Sequence, residues 1–133
     1  MLLTRVDPVD VAAPVGTYSH AVRIETDEGA IVFVSGQIAQ DARGELVGAG
    51  DLRAQTEQVF ENLSRILAAN GASFEHVVKI QTYFTTLDDL AGSREVRARY
   101  LPSEPPASTA VQVVALVVPE ALIEVDVVAA VPL

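Results

Sequence analysis

The stretch VVKIQTYFTTLDDLAGSREVRARYLPSEPPASTAVQVVALVV, Val77 to Val118, decides the fold class. Val77 to Thr86 is rich in β-branched and aromatic residues and reads as a strand. Leu87-Asp88-Asp89 then leads into a short helix that ends near Tyr100, with Pro102 closing it. A second strand follows from about Ser108 to Val118, and another from Leu122 to Val131. A helix set between two strands favours a βαβ crossover, which lays the helix on one face of a sheet.

Upstream, Ala21 to Thr26 alternates in character and Ala30 to Ile38 (AIVFVSGQI) is a β-branched run, with Asp27-Glu28-Gly29 as the turn of a hairpin. Between this hairpin and Val77 lies the clearest helix. Asp51 can cap it, and Leu52, Val59, Leu63, Ile66 and Leu67 keep to one face. Gln55, Gln58, Glu61 and Arg65 fall largely on the other side, and Asn70-Gly71 supplies a left-handed stop. With Leu2 to Val6 as an initial edge strand, the chain predicts an α+β domain with a mixed six-stranded sheet and both helices on one face. No repeat, linker or low-complexity tract divides it, so residues 1–133 form a single domain.

Composition narrows the function. At 133 residues such a domain buries roughly two thirds of the surface its unfolded chain exposes. Nine basic against eighteen acidic side chains give a net charge of −9, which repels phosphate backbones and argues against nucleic-acid binding. Without cysteine there is no disulfide framework, thiolate nucleophile or cysteine metal site. No apolar run has the length or flanks of a membrane span or signal peptide, so a soluble, cytoplasmic protein is expected. Half of the residues are hydrophobic, more than so small an interior hides, and a face of the sheet free of helices would bury the excess between copies of the chain.

Several residue sets have a plain reading. His20 and His76 show no metal-ligand spacing, and no metal is expected. Gly48-Ala49-Gly50 is loop punctuation, since Arg53 stands where a dinucleotide fingerprint needs its third glycine. Ser19, Ser35 and Ser108 have no identifiable His-acid partners for a hydrolase triad. Glu124 and Asp126, two apart on a strand, share a face and read from spacing alone as hydrated polar positions.

The ordered set Pro14-Val15-Gly16-Thr17-Tyr18-Ser19, Val34-Ser35-Gly36-Gln37-Ile38, Ala54-Gln55, Asn62, Gly71, Val77-Val78-Lys79, Phe84, Leu87, Tyr100, Pro106-Ala107 and Ile123-Glu124-Val125-Asp126 resembles the RidA/YjgF (reactive intermediate deaminase) family along nearly the whole chain. The resemblance implies a chorismate-mutase-like fold and a barrel-like homotrimer whose interface clefts take a small-molecule ligand. It implies hydrolysis of enamines and imines to keto acids and ammonia, without metal or organic cofactor. It assigns Glu124 to positioning the attacking water, and Tyr18 with Ser35, Gly36 and Gln37 to lining the cleft. After Pro106-Ala107 the family places an arginine that clamps the substrate carboxylate; here Ser108 stands there, followed by Thr109.

Charge-assisted hydrogen bonds contribute about 1.5–3 kcal/mol each, so losing a bidentate pair weakens binding roughly a hundredfold or more. From residue 108 alone, 2-imino-acid deaminase activity is expected to be weak or absent. Two rescues are open: Arg94, six residues before Tyr100, supplies the charge from another wall, or Ser108 meets the oxygen of a neutral substrate. The plainer reading of Arg94, Arg97 and Arg99 is a solvated helix face. A non-enzymatic metabolite-binding or regulatory module is the alternative function. Endoribonuclease or translation inhibition, a label borne by some relatives, sits poorly with the charge of −9.

Overall fold

The computed structural model describes residues 1–133. Its elements are β1 (Leu2–Val6), β2 (Ala21–Thr26), β3 (Gly29–Gln37), α1 (Leu52–Ala69), a 3-10 turn (Phe74–His76), β4 (Val77–Phe84), α2 (Leu90–Ala98), β5 (Ala107–Gln112) and β6 (Ile123–Pro132). They form one mixed sheet in the order β1-β2-β3-β6-β4-β5. Only β4 and β5 pair in parallel, joined across α2 as the βαβ pattern requires. β6 runs antiparallel between β3 and β4, so the last strand of the chain becomes the middle of the sheet.

Local chemistry sets the helix ends. The Asp51 side chain caps α1 by accepting from Ala54 N at 3.0 Å, and Gly71 at φ +69° lets Ala72 N reach back to Leu67 O. Asp89 caps α2 by accepting from Gly92 N at 3.1 Å. Val59, Leu63, Ile66 and Leu67 of α1 pack on Val32, Val34, Ile80, Val125 and Val127 of the sheet in one core cluster. Burying each large aliphatic side chain contributes about 1.5–3 kcal/mol, which holds the helix to this face. α2 is tied to α1 by a 2.8 Å bond between the Thr56 and Ser93 hydroxyls.

The opposite face carries no helix. By strand alternation it presents Ile31 and Phe33 of β3, each nearly half exposed, beside their registered partners Ile24, Val22, Ala130 and Val128. Toward β4 the same face turns polar, with Gln81 donating to Asp126 Oδ1 at 3.2 Å and Lys79 donating to Thr109 Oγ1 at 2.8 Å.

Two expectations need correction. Gln55 lies on the buried side of α1, fully excluded from solvent. Its Nε2 donates to Gly48 O and Glu120 O, and its Oε1 accepts from Leu122 N, so the amide pins two loops whose backbone groups have no ladder partner. β5 stops at Gln112 rather than running to Val118. Its neighbour β4 ends at Phe84, whose carbonyl accepts a last bond from Val113 N, and beyond it there is no strand left to pair with. Val114 and Val117 are accordingly exposed.

Candidate functional site

Strand alternation divides the candidate residues between two faces. Glu124 is registered opposite Tyr83 on the helix-free face, while its neighbours Ile123 and Val125 are buried under the helices. Ser108 is registered with buried Ile80 and so points to the helix side of β5. Thr109 points the other way, to Lys79.

The first cluster surrounds Glu124. Between Val34 and Gln37 the β3–β6 register shifts, and Gly36 sits in that irregularity. A Cβ on Gly36 would lie 2.6 Å from Glu124 Oε2 and 2.9 Å from its Cδ, so only glycine lets the carboxylate rest on this backbone. Ser35 Oγ donates to Ser19 O at 2.6 Å, tying β3 to the segment that carries Tyr18. Gln37 Nε2 donates to Ser35 O at 3.3 Å and is largely buried. Tyr18 is half exposed, its hydroxyl accepting from Val15 N at 3.3 Å. Together with Val117 and Val118 these residues line a cavity of about 300 Å³. The Glu124 carboxyl is held above the usual carboxylate range, first by its burial and then by the negative charge of Asp126. A carboxylate so placed can accept a hydrogen bond from water and take a proton from it.

The second cluster lies on the other face, between α2, β5 and the Pro102–Pro106 loop, around a cavity of about 590 Å³. Ser108 and Arg94 both line it, and Arg94 is exposed. The group that meets Ser108 is Arg97. Its Nη2 donates to Ser108 Oγ at 2.9 Å and its Nη1 to Thr82 Oγ1 at 3.4 Å. The reading of a uniformly solvated arginine face therefore holds for Arg94 and Arg99 but not for half-buried Arg97. Arg97 lies one turn beyond Arg94, on the helix face where the structure also buries Ser93. What was missing was the register that turns Ser108 toward that helix.

His20 is buried and lines the Glu124 cavity, with its Nε2 2.7 Å from Ala12 O, whereas His76 joins neither cluster and its Nδ1 accepts from Ser73 N. No group of three or more His, Asp or Glu side chains is placed to share a metal ion. No helix is long and apolar enough to cross a membrane.

Comparison with known proteins puts this geometry in context. The family model described as Endoribonuclease L-PSP matches residues 10–131. This chain belongs to the RidA/YjgF family. It is 45% identical over 102 residues to protein DfrA of Myxococcus xanthus, covering 77% of this chain and 76% of that protein. It is 36% identical over 118 residues to the 3-aminoacrylate deaminase RutC of Acinetobacter baylyi, covering 89% and 90%. The crystal structure of RidA from the Antarctic bacterium Psychrobacter sp. superposes with a TM-score of 0.84 at 35% identity, covering 96% of this chain and 99% of that one. Within the family, then, this member carries Ser108 after Pro106-Ala107, with Arg97 donating to its hydroxyl.

Proposed function

We propose that this Rid-family chain is a cofactor-free hydrolase of a small enamine, imine or related carbonyl compound, working in clefts formed between copies of itself. The observation that carries the reading is Glu124: a half-buried carboxylate laid against Gly36, with its proton affinity raised, in a cavity beside Tyr18 and Gln37. Glu124 orients a water and takes one of its protons as the oxygen adds to the C=N carbon. The proton passes to nitrogen to give a carbinolamine; its hydroxyl proton is then relayed through Glu124 to the amine as the C–N bond breaks, and ammonia and a carbonyl compound leave. Relatives named 3-aminoacrylate deaminase and 2-iminobutanoate/2-iminopropanoate deaminase support this reaction class.

Within one chain the Glu124 and Ser108 clusters lie on opposite faces of the sheet. A closed ring of copies brings the Glu124 side of one against the β5 edge of the next and also buries Ile31 and Phe33. A homotrimer is the assembly that fits the family. An endoribonuclease role is disfavoured by the charge of −9.

The test is to generate imines from several amino acids with an amino-acid oxidase and follow their hydrolysis. Wild type should accelerate it and Glu124→Ala should not. A wild type without effect on any imine would favour a metabolite-binding module and overturn the enzymatic reading.

A further inference from the structure

The Arg97 guanidinium has no acidic partner. The ion pairs of the chain use Arg23, Arg53 and His20, and no carboxylate oxygen lies within 4.0 Å of Arg97. It is half buried, and its hydrogen bonds go to two neutral hydroxyls, Thr82 and Ser108. In a chain of net charge −9 the cavity around it is lined by Arg94 and Arg97 and by no Asp or Glu. The rest of the wall is mainly apolar, including Phe84, Leu87, Leu101 and Val111. An unpaired, partly desolvated cation is costly to keep, and both its burial and the nearby charge of Arg94 lower its proton affinity. Such a site gains most from an anion that brings a short apolar body with it.

We propose that Arg97, reaching across from α2, is the anchor for the carboxylate of a small organic acid in this cavity, with Ser108 as its hydroxyl partner and Arg94 as the outer charge. Combined with the hydrolase reading, on which this step rests, Arg97 makes anionic imines, including 2-imino acids, the substrate class and removes the ground for expecting weak activity on them. The planar fork of a guanidinium suits a carboxylate, and the apolar wall suits a short side chain better than a hydrated phosphate does. The positive charge comes from a helix rather than from the β5 position.

The experiment is calorimetric titration of the wild-type assembly with 2-oxobutanoate, its neutral counterpart 2-oxobutanamide and inorganic phosphate, repeated with Arg97→Gln, Arg97→Lys and Arg94→Gln. Wild type should prefer 2-oxobutanoate to the amide. Arg97→Gln should weaken the carboxylate by about tenfold to a hundredfold, the effect of losing a charge-assisted contact, and leave the amide unchanged. Arg97→Lys should recover part of the loss, and Arg94→Gln should cost less than Arg97→Gln. Unchanged melting temperature and assembly size in Arg97→Gln separate anchoring from folding. Equal binding of acid and amide by wild type, equal binding of the acid by wild type and Arg97→Gln, or tighter binding of phosphate than of 2-oxobutanoate would overturn the proposal. Arg97-dependent binding without imine hydrolysis would uphold the anchor and sink the hydrolase reading alone.

Discussion

Replacing Gly36 by alanine should disable hydrolysis while leaving the fold intact. The added Cβ would lie 2.6 Å from Glu124 Oε2, 2.9 Å from Cδ and 3.1 Å from Cγ, well inside ordinary contact. The backbone at Gly36 does not have positive φ, so alanine meets no conformational barrier there. Instead the carboxylate must move, and to restore a contact of about 3.4 Å its oxygen has to retreat by nearly an ångström. Displacement of a reacting group by about 1 Å costs on the order of a hundredfold in rate. Stability has two opposing contributions: alanine lowers the entropy of the unfolded chain, worth about 0.4–1 kcal/mol, and the contact with a flexible side chain takes back a similar amount. Turnover of oxidase-generated imines by Gly36→Ala should therefore fall by about tenfold to a hundredfold with a melting temperature close to wild type. Wild-type turnover in Gly36→Ala would refute the idea that Glu124 acts from its seat on Gly36. A large loss of stability would show that the glycine serves the β3 irregularity rather than the carboxylate.

Two further outcomes follow from particular side chains. Gln55→Ala removes three buried hydrogen bonds and strands two carbonyls and an N–H, so urea unfolding should show a loss of about 2–4 kcal/mol; a loss below about 0.5 kcal/mol would mean that water replaces the amide. Glu124→Gln should abolish hydrolysis yet raise the melting temperature at neutral pH. The folded state holds this carboxyl above its ordinary value of 4.5, so the ionised form is a liability to the fold at pH above that raised value. Below the ordinary value both states are protonated and the gain should vanish, so a benefit that persists at low pH would contradict the assignment.

The hairpin, both helices and the βαβ crossover were legible in the sequence because local chemistry defines them. Asp51 and Gly71 mark the ends of α1, and Asp27-Glu28-Gly29 marks the turn between β2 and β3. Gln55 was misplaced because helical periodicity sorts residues by polarity, while the loops at Gly48 and Glu120 require a buried amide that no period reveals. The end of β5 was misplaced because Val113 to Val118 has strand composition but no neighbour to pair with, a fact fixed by where β4 ends. For the site, the motif residues Tyr18, Ser35, Gly36, Gln37 and Glu124 were legible as a set, and the structure gathers them around one cavity. Arg97 was not. Counting along α2 selects Arg94, whereas the meeting of Arg97 with Ser108 depends on packing α2 over a parallel strand pair.

Sharing of one cleft between neighbouring copies is tested by complementation between two disabled variants. Glu124→Ala lacks the water-positioning carboxylate and Arg97→Gln lacks the anchor, so each alone should hydrolyse imines poorly. If a cleft takes Glu124 from one copy and Arg97 from its neighbour, denaturing the two in equal amounts and refolding them together yields roughly a quarter of clefts with both groups intact in a ring of identical interfaces. Recovery of about that fraction of wild-type turnover is the expected result. A mixture as silent as its parents, with exchange of subunits verified by mass, would contradict it.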